Sequence, residues 1–226
     1  MGRDTPPASA GRQPEMEILK MPPVKLVVFD CDGVMFDSLA ANKAYYNDIL
    51  AHFGHPPMDE EALSYVHVRN VVDSVRRIFA PYPDDYQRAE AYRQALDYTP
   101  YLQYMRMEPD LPEFLRFLRP ERQTAISTNR SSTMGPILKI FGLAPYFDQV
   151  VTSLDVTHPK PHPEALRKIL AHFGRPPAEA VYIGDSEVDL EHAQGVGMRM
   201  IAFKNPELTA DFHVECFMEI PELPLF

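Results

Sequence analysis

Four short segments carry residues whose types and spacing could do chemistry. The first is Phe29-Asp30-Cys31-Asp32-Gly33, with two carboxylates two residues apart. Carboxylates so close repel each other unless a proton or a cation intervenes, which points to a divalent metal. The same string is also suited to a plain turn, since Asp and Gly favour one. The second segment is Ser127-Thr128-Asn129-Arg130. Its hydroxyl and amide suit hydrogen bonding to an oxyanion, assisted by the free amides of a following helix; a helix cap before Ser131, Ser132 and Thr133 is the structural alternative. The third is His158-Pro159-Lys160-Pro161-His162-Pro163, where alternating prolines restrict the backbone and fix the direction of one lysine. A lysine held in that way can neutralise developing negative charge without reorganisation. His158 and His162 have no metal-ligand pattern around them and read as loop residues. The fourth is Gly184-Asp185-Ser186-Glu187-Val188-Asp189, with Asp189 one helical turn beyond Asp185. Asp30, Asp32, Asp185 and Asp189 brought around one lysine would need Mg²⁺ or a similar hard cation.

These segments need elements to bring them together. Lys25-Leu26-Val27-Val28-Phe29 is a short apolar run, rich in β-branched residues, of the kind found in a strand buried on both faces. Similar runs recur at Thr124–Ser127, Gln149–Thr152, Ala180–Ile183 and Met200–Phe203. Amphipathic helical spacing lies between them, as in Leu111, Phe114, Leu115 and Leu118, and in Ala165, Leu166, Ile169, Leu170 and Phe173. Strands alternating with helices predict an α/β fold, a parallel sheet covered on both faces. Each of the four segments then sits at the carboxyl end of a strand or in a loop beyond it, where open α/β sheets bind ligands. That joint placement favours a site over four unrelated turns and caps.

Residues 39–107 break the rhythm and read as helices over 39–53, 59–80 and 83–105, with no strand among them. Nine of the eleven tyrosines fall in this insert. Most suit helix packing, and one or two could line a pocket beneath the insert. Residues 1–21 have no hydrophobic period and read as a disordered leader. The expected organisation is a catalytic core from 22–38 and 108–226 with a helical cap at 39–107. Ile49–Pro57 matches Ile169–Pro177 at all but one position, which reads as one helix stop used twice.

The composition is that of a globular chain: 226 residues, 45% hydrophobic and 24% charged. A formal net charge of −10 argues against non-specific nucleic-acid binding, which needs clustered cations. No apolar run approaches the length needed to span a bilayer, and two cysteines cannot build a disulfide framework, so the cytosol is the expected compartment. Prolines are abundant, with 23 in the chain. They punctuate the insert and stiffen the lysine loop.

In order and spacing the four segments resemble the motifs of the haloacid dehalogenase superfamily, in its phosphatase branch. Asp30-Cys31-Asp32-Gly33 matches the first motif and Asp37-Ser38 the pair before the insert. Thr128-Asn129 matches the second motif, Lys160-Pro161-His162-Pro163 the third, and Gly184-Asp185-Ser186 with Asp189 the fourth. The insert resembles the small helical cap of the phosphoglycolate phosphatase and beta-phosphoglucomutase subgroup. The resemblance implies a Rossmann-like core and Mg²⁺-dependent hydrolysis of a small phosphorylated metabolite. It implies Asp30 as nucleophile and Asp32 as acid and then base, protonated at the first step through crowding by other carboxylates. Mg²⁺ would be held by Asp30, by the backbone carbonyl of Asp32 and by Asp185. Thr128, Asn129 and Lys160 would bind the phosphate, and Asp189 would orient the lysine or metal-bound waters. An acid at position 32 disfavours dehalogenation, because halide leaves without a proton. A phosphosugar mutase and a non-catalytic binding protein on the same fold are the alternatives. Val66-His67-Val68-Arg69-Asn70 matches no specificity signature and reads as a solvated helix face, the alternative being that His67, Arg69 or Asn70 reaches the substrate. Substrate identity and oligomeric state are not given by the sequence.

Overall fold

A computed structural model describes residues 22–69 and 71–226. The expected leader, residues 1–21, and Asn70 lie outside the described residues. The chain begins with strands β1 (Leu26–Phe29) and β2 (Phe36–Asp37). Helices α1 (Leu39–His52), α2 (Glu60–Val68), α3 (Val71–Ile78) and α4 (Pro83–Ala95) follow. Strand β3 (Arg106–Met107) precedes α5 (Leu111–Leu118), β4 (Gln123–Ser127), α6 (Met134–Ile140) and β5 (Gln149–Val151). The chain continues with α7 (Glu164–Phe173), β6 (Ala180–Gly184), α8 (Glu187–Gln194), β7 (Arg199–Phe203) and β8 (Phe212–Val214).

Six strands form one parallel sheet in the order β5-β4-β1-β6-β7-β8. This is an α/β, Rossmann-like arrangement. The chain winds outward from β1 through β4 to β5, then returns to the other side of β1 at β6. The crevice at that reversal, beyond the carboxyl ends of β1 and β6, is where such sheets hold ligands. Successive residues of β1 serve opposite layers. Val27 and Phe29 pack with α5, α6 and the C-terminal turn, while Leu26 and Val28 pack with α7 and α8. All four are fully buried, which accounts for the unbroken apolar run in the sequence.

The insert departs from the sequence reading in three places. The helix expected over 59–80 is two helices, because Arg69 is extended at φ −110°, ψ 158°. The β-branched run around it, Val66, Val68, Val71 and Val72, gives an uninterrupted helix weak support. The helix expected over 83–105 ends at Ala95, where Leu96 is extended at ψ 121°, and resumes as a 3-10 turn over Thr99–Tyr104 with Pro100 in its first turn. Two strands flank the insert where none was expected. β2 and β3 pair antiparallel, Phe36 with Met107 and Asp37 with Arg106, and so tie the two ends of the insert together. Strands of two residues have too little period to be visible in a sequence. The same holds for β8, a three-residue edge strand on β7. The duplicated helix stop does recur: Gly54 and Gly174 both have positive φ, and His55 and Arg175 each donate to a leucine carbonyl five residues back, Leu50 and Leu170.

Candidate active site

The end of β1 places Asp30 at the floor of the crevice. Its amide donates to Ile183 O of β6 at 2.9 Å, so the sheet ladder itself fixes the carboxylate. The chain then turns at Gly33, with φ +76°. A Cβ there would lie 1.9 Å from Asp185 Oδ2, so the position has room for glycine alone. That close approach lets Asp185, just beyond β6, reach the first loop.

Lys160 enters from the proline loop and is buried. Its Nζ lies 2.8 Å from Asp30 Oδ1 and 2.7 Å from Asp189 Oδ1, and it donates to Tyr182 Oη at 3.1 Å. Burial works against the ammonium charge, but Asp189 and Asp30 outweigh it and raise the affinity of Lys160 for its proton. Asp189 is fully buried and fully engaged. Its Oδ1 accepts from Lys160 and from the Tyr182 hydroxyl at 2.9 Å, and its Oδ2 accepts from the Ser186 hydroxyl at 2.6 Å. Burial favours its neutral form, yet Lys160 and these donors together hold its acidity below the ordinary carboxylate range. One carboxylate thereby caps α8, in a capping box with Ser186, and also holds the lysine.

Carboxylate oxygens of Asp30, Asp185 and Asp189 lie within 4.8 Å of one another. Burial first, and then the neighbouring carboxylates, push Asp30 up to about 7 and Asp185 up to about 8, Lys160 acting in the opposite sense. Groups that are this costly to ionise together, made of hard oxygen donors only, fit a divalent cation such as Mg²⁺. The Asp189 oxygens already have protein partners, whereas the Asp185 carboxylate accepts no hydrogen bond among the described residues. Asp30 and Asp185 are therefore the side chains open to a metal. The loop bearing Asp185 is steadied by Asn205, whose amide donates to Asp185 O at 2.8 Å.

The second segment divides its work. Ser127 points into the protein, its Oγ 2.9 Å from His192 Nε2. His192 Nδ1 lies 2.8 Å from the carbonyl of His162, so the ring donates at Nδ1 and accepts from Ser127 at Nε2, as a neutral imidazole. Burial, then Lys160, push His192 down to about 4. Thr128 lines the cavity instead, its amide on Val151 O at 3.1 Å and its Oγ1 accepting from the Arg130 amide at 3.1 Å. Asn129 also lines the cavity, but both ends of its amide are engaged by the Lys160 backbone: Oδ1 accepts from Lys160 N at 2.9 Å, and Nδ2 donates to Lys160 O at 3.1 Å. Its amide clamps the lysine loop rather than facing a phosphate.

Asp32 does not join the lysine cluster. Its Oδ1 accepts from Arg130 Nη2 at 2.6 Å, so a cation stands beside it, while its charge is also felt by Asp30 and Asp185. Sequence reasoning quoted Arg130 without giving it a role. A cation directly after a strand-ending Thr-Asn was the available signal, and only the fold shows which carboxylate it meets. Cys31, between the aspartates, is buried in the core, and burial pushes its thiol well up. The histidines of the proline loop, His158 and His162, lie at the surface, where His158 approaches Glu164.

Over these groups opens a cavity of about 400 Å³, roofed by the insert. Tyr45, Tyr46 and Tyr98 line it, as do Arg69 and Arg93. The three tyrosines pack together, with Tyr45 centred 5.2 Å from Tyr46 and 4.9 Å from Tyr98. Burial pushes the Tyr45 and Tyr98 hydroxyls up to about 12, so they remain neutral donors.

Buried carboxylates and a lysine at the switch point of a parallel sheet form an arrangement able to bind and stabilise a phosphoryl group. The chain belongs to the haloacid dehalogenase-like hydrolases, whose sequence model matches residues 27–203. It is similar to the phosphoglycolate phosphatase of Pseudomonas putida, 26% identical over 185 residues that cover 78% of this chain and 68% of the relative. It is also similar to a pyrophosphatase PpaX of Bacillus cereus, 40% identical over 77 residues, 34% of this chain and 36% of that protein. Among solved structures, a HAD-superfamily hydrolase of subfamily IA, variant 1, from Geobacter sulfurreducens superposes with a TM-score of 0.78 at 40% identity, covering 90% of this chain and 97% of the other. The chain is a phosphatase of this superfamily. Among the described residues, no helix is long and apolar enough to cross a membrane.

Proposed function

We propose that the chain hydrolyses a small phosphate monoester through a phosphorylated Asp30. The observation that carries the proposal is the buried contact of Asp30 Oδ1 with Lys160 at 2.8 Å, beneath a cavity that Asp32 and Thr128 also line. Asp30 attacks phosphorus, the ester oxygen leaves with a proton from Asp32, and the phosphoryl group stays on Asp30. Asp32 then takes a proton from water, whose oxygen attacks the same phosphorus and returns Asp30 with release of inorganic phosphate. Lys160 and the Thr128 hydroxyl hold the phosphoryl oxygens where charge gathers. Asp189 and Asn129 keep the lysine in place, one through its ammonium and the other through its backbone. Asp30, the backbone carbonyl of Asp32 and Asp185 would hold Mg²⁺, which would supply positive charge that offsets the repulsion between substrate and nucleophile. The insert acts as a cap that screens the cavity from water, and two free cysteines accord with a reducing, cytosolic setting.

Asp30→Asn keeps the shape and removes the nucleophile. It is expected to lower phosphate release from aryl and alkyl phosphates more than about 10³-fold, with an unchanged circular dichroism spectrum. Retained turnover would sink the proposal. Inorganic phosphate as the product also separates hydrolysis from a mutase, which would return an isomeric ester.

A further inference from the structure

The proline loop carries two histidines that the proposed reaction does not use. Lys160 at its centre turns inward and is buried, whereas His158 and His162 stay exposed, and neither lines the cavity. A turn closed by His162 N, which donates to Pro159 O at 3.0 Å, folds the loop back on itself. The two imidazole rings stand side by side, with centroids 4.6 Å apart and planes inclined by 42°. Pro159, Pro161 and Pro163 restrict the backbone around them, so this placement is fixed before any ligand arrives. Glu164, the first residue of α7, completes the group. Its Oε1 accepts from the Thr157 amide at 3.0 Å and its Oε2 from the His158 amide at 3.1 Å, which holds the carboxylate in place. Lys168 pairs with Oε1 at 3.3 Å and leaves Oε2 facing His158 Nδ1 at 3.4 Å.

One ligand atom from each of His158, His162 and Glu164 lies within 4.8 Å of the other two. Two imidazole nitrogens and a carboxylate oxygen are the donor set of a borderline cation such as Zn²⁺, not of the hard cation suited to Asp30 and Asp185. Zinc bonds of about 2.0–2.2 Å in a tetrahedron put neighbouring ligand atoms about 3.3 Å apart. The His158–Glu164 pair already stands close to that separation, and rotation of the exposed His162 ring brings in the third ligand with the backbone unmoved. Oε2 keeps a lone pair for a metal, because a carboxylate oxygen accepts twice. A hydrogen bond between His158 and Glu164 accounts for two of the three groups and not for the third. We propose that His158, His162 and Glu164 form a site for Zn²⁺ or a similar borderline cation, with water in the fourth position. The two histidines lie on either side of Lys160, so a bound ion would clamp the loop that presents the lysine. The site does not depend on the hydrolytic reading above.

The test titrates Zn²⁺ into the full chain, free of any histidine tag and with Mg²⁺ in excess, and follows heat and thermal unfolding. The parent protein is expected to bind one equivalent that depends on the histidines, with micromolar affinity or better, and to unfold at a higher temperature when it is bound. His158→Ala and His162→Ala should each weaken that binding at least about 10-fold and cancel the rise, with unchanged circular dichroism. Asp185→Asn should leave it intact. Co²⁺ supplies a second readout, since four-coordinate Co²⁺ absorbs visible light intensely and a six-coordinate oxygen site only weakly. The intense bands should appear in the parent and in the Asp185→Asn protein and be missing from both histidine variants. Zn²⁺ binding that survives both histidine variants and disappears in Asp185→Asn would move the ion to the carboxylate cluster and overturn the proposal. A folded parent that binds no Zn²⁺ would overturn it as well.

Discussion

The sheet edge and the insert both face the cavity, but they are built differently. At the sheet edge the polar groups are buried and satisfied by one another: Asp30, Lys160, Asp189, Tyr182 and Ser186 form one continuous hydrogen-bonded set. On the insert side three tyrosines share the lining with Arg69 and Arg93, and the Tyr98 hydroxyl is tied to Asn42 of α1. Buried charge networks are rigid, because losing one member leaves the others uncompensated. An aromatic surface tolerates change, since its packing is spread over many small contacts. The sheet edge is thus suited to fixed chemistry and the insert to an adjustable fit.

Removing the lysine is the strongest way to break that contrast. Lys160→Met should lower kcat by about 10²–10³-fold, and denaturant titration should show a loss of about 3–5 kcal/mol from stranding Asp30 and Asp189. A stable, active variant would mean that the network is not cooperative. The sheet side also contains a buried neutral histidine, His192, held down to about 4 against an ordinary value of 6.5. Below pH 6.5 the unfolded chain gains a proton that the folded chain refuses until about pH 4. Stability is therefore full above that window and falls through it, by about 3 kcal/mol in all. His192→Gln should flatten that part of the stability profile; an unchanged slope would assign it to other groups. The smallest effect belongs to the insert. Tyr98→Phe removes one partly buried hydroxyl and should cost about 1 kcal/mol, with kcat on an uncharged ester within about 3-fold of the parent. A loss comparable to that of Lys160→Met would erase the distinction between the two regions.

Much of the sheet side was legible in the sequence, because strands buried on both faces must be apolar throughout and their ends are marked by abrupt polar residues. β1, β4, β6 and β7 fall within a residue of their apolar runs, and Asp30, Thr128 and Asp185 each follow one directly. The insert was less legible. Its helices were found, but their breaks at Arg69 and after Ala95 depend on weak local preferences, and the β2–β3 ribbon has only two residues a side.

The sequence by itself determined the α/β alternation, the order of the candidate segments and the residue types they offer. Each of these is written in local pattern: period, spacing and residue type. Only the tertiary structure decided how those groups pair. Asp189 serves Lys160 and the cap of α8 at once, and Asn129 turns its amide to the lysine backbone. Asp32 meets Arg130, 98 residues away in the chain, and not the lysine. Pairing across such separations depends on strand order and on which way each loop leaves the sheet, and no local pattern encodes either.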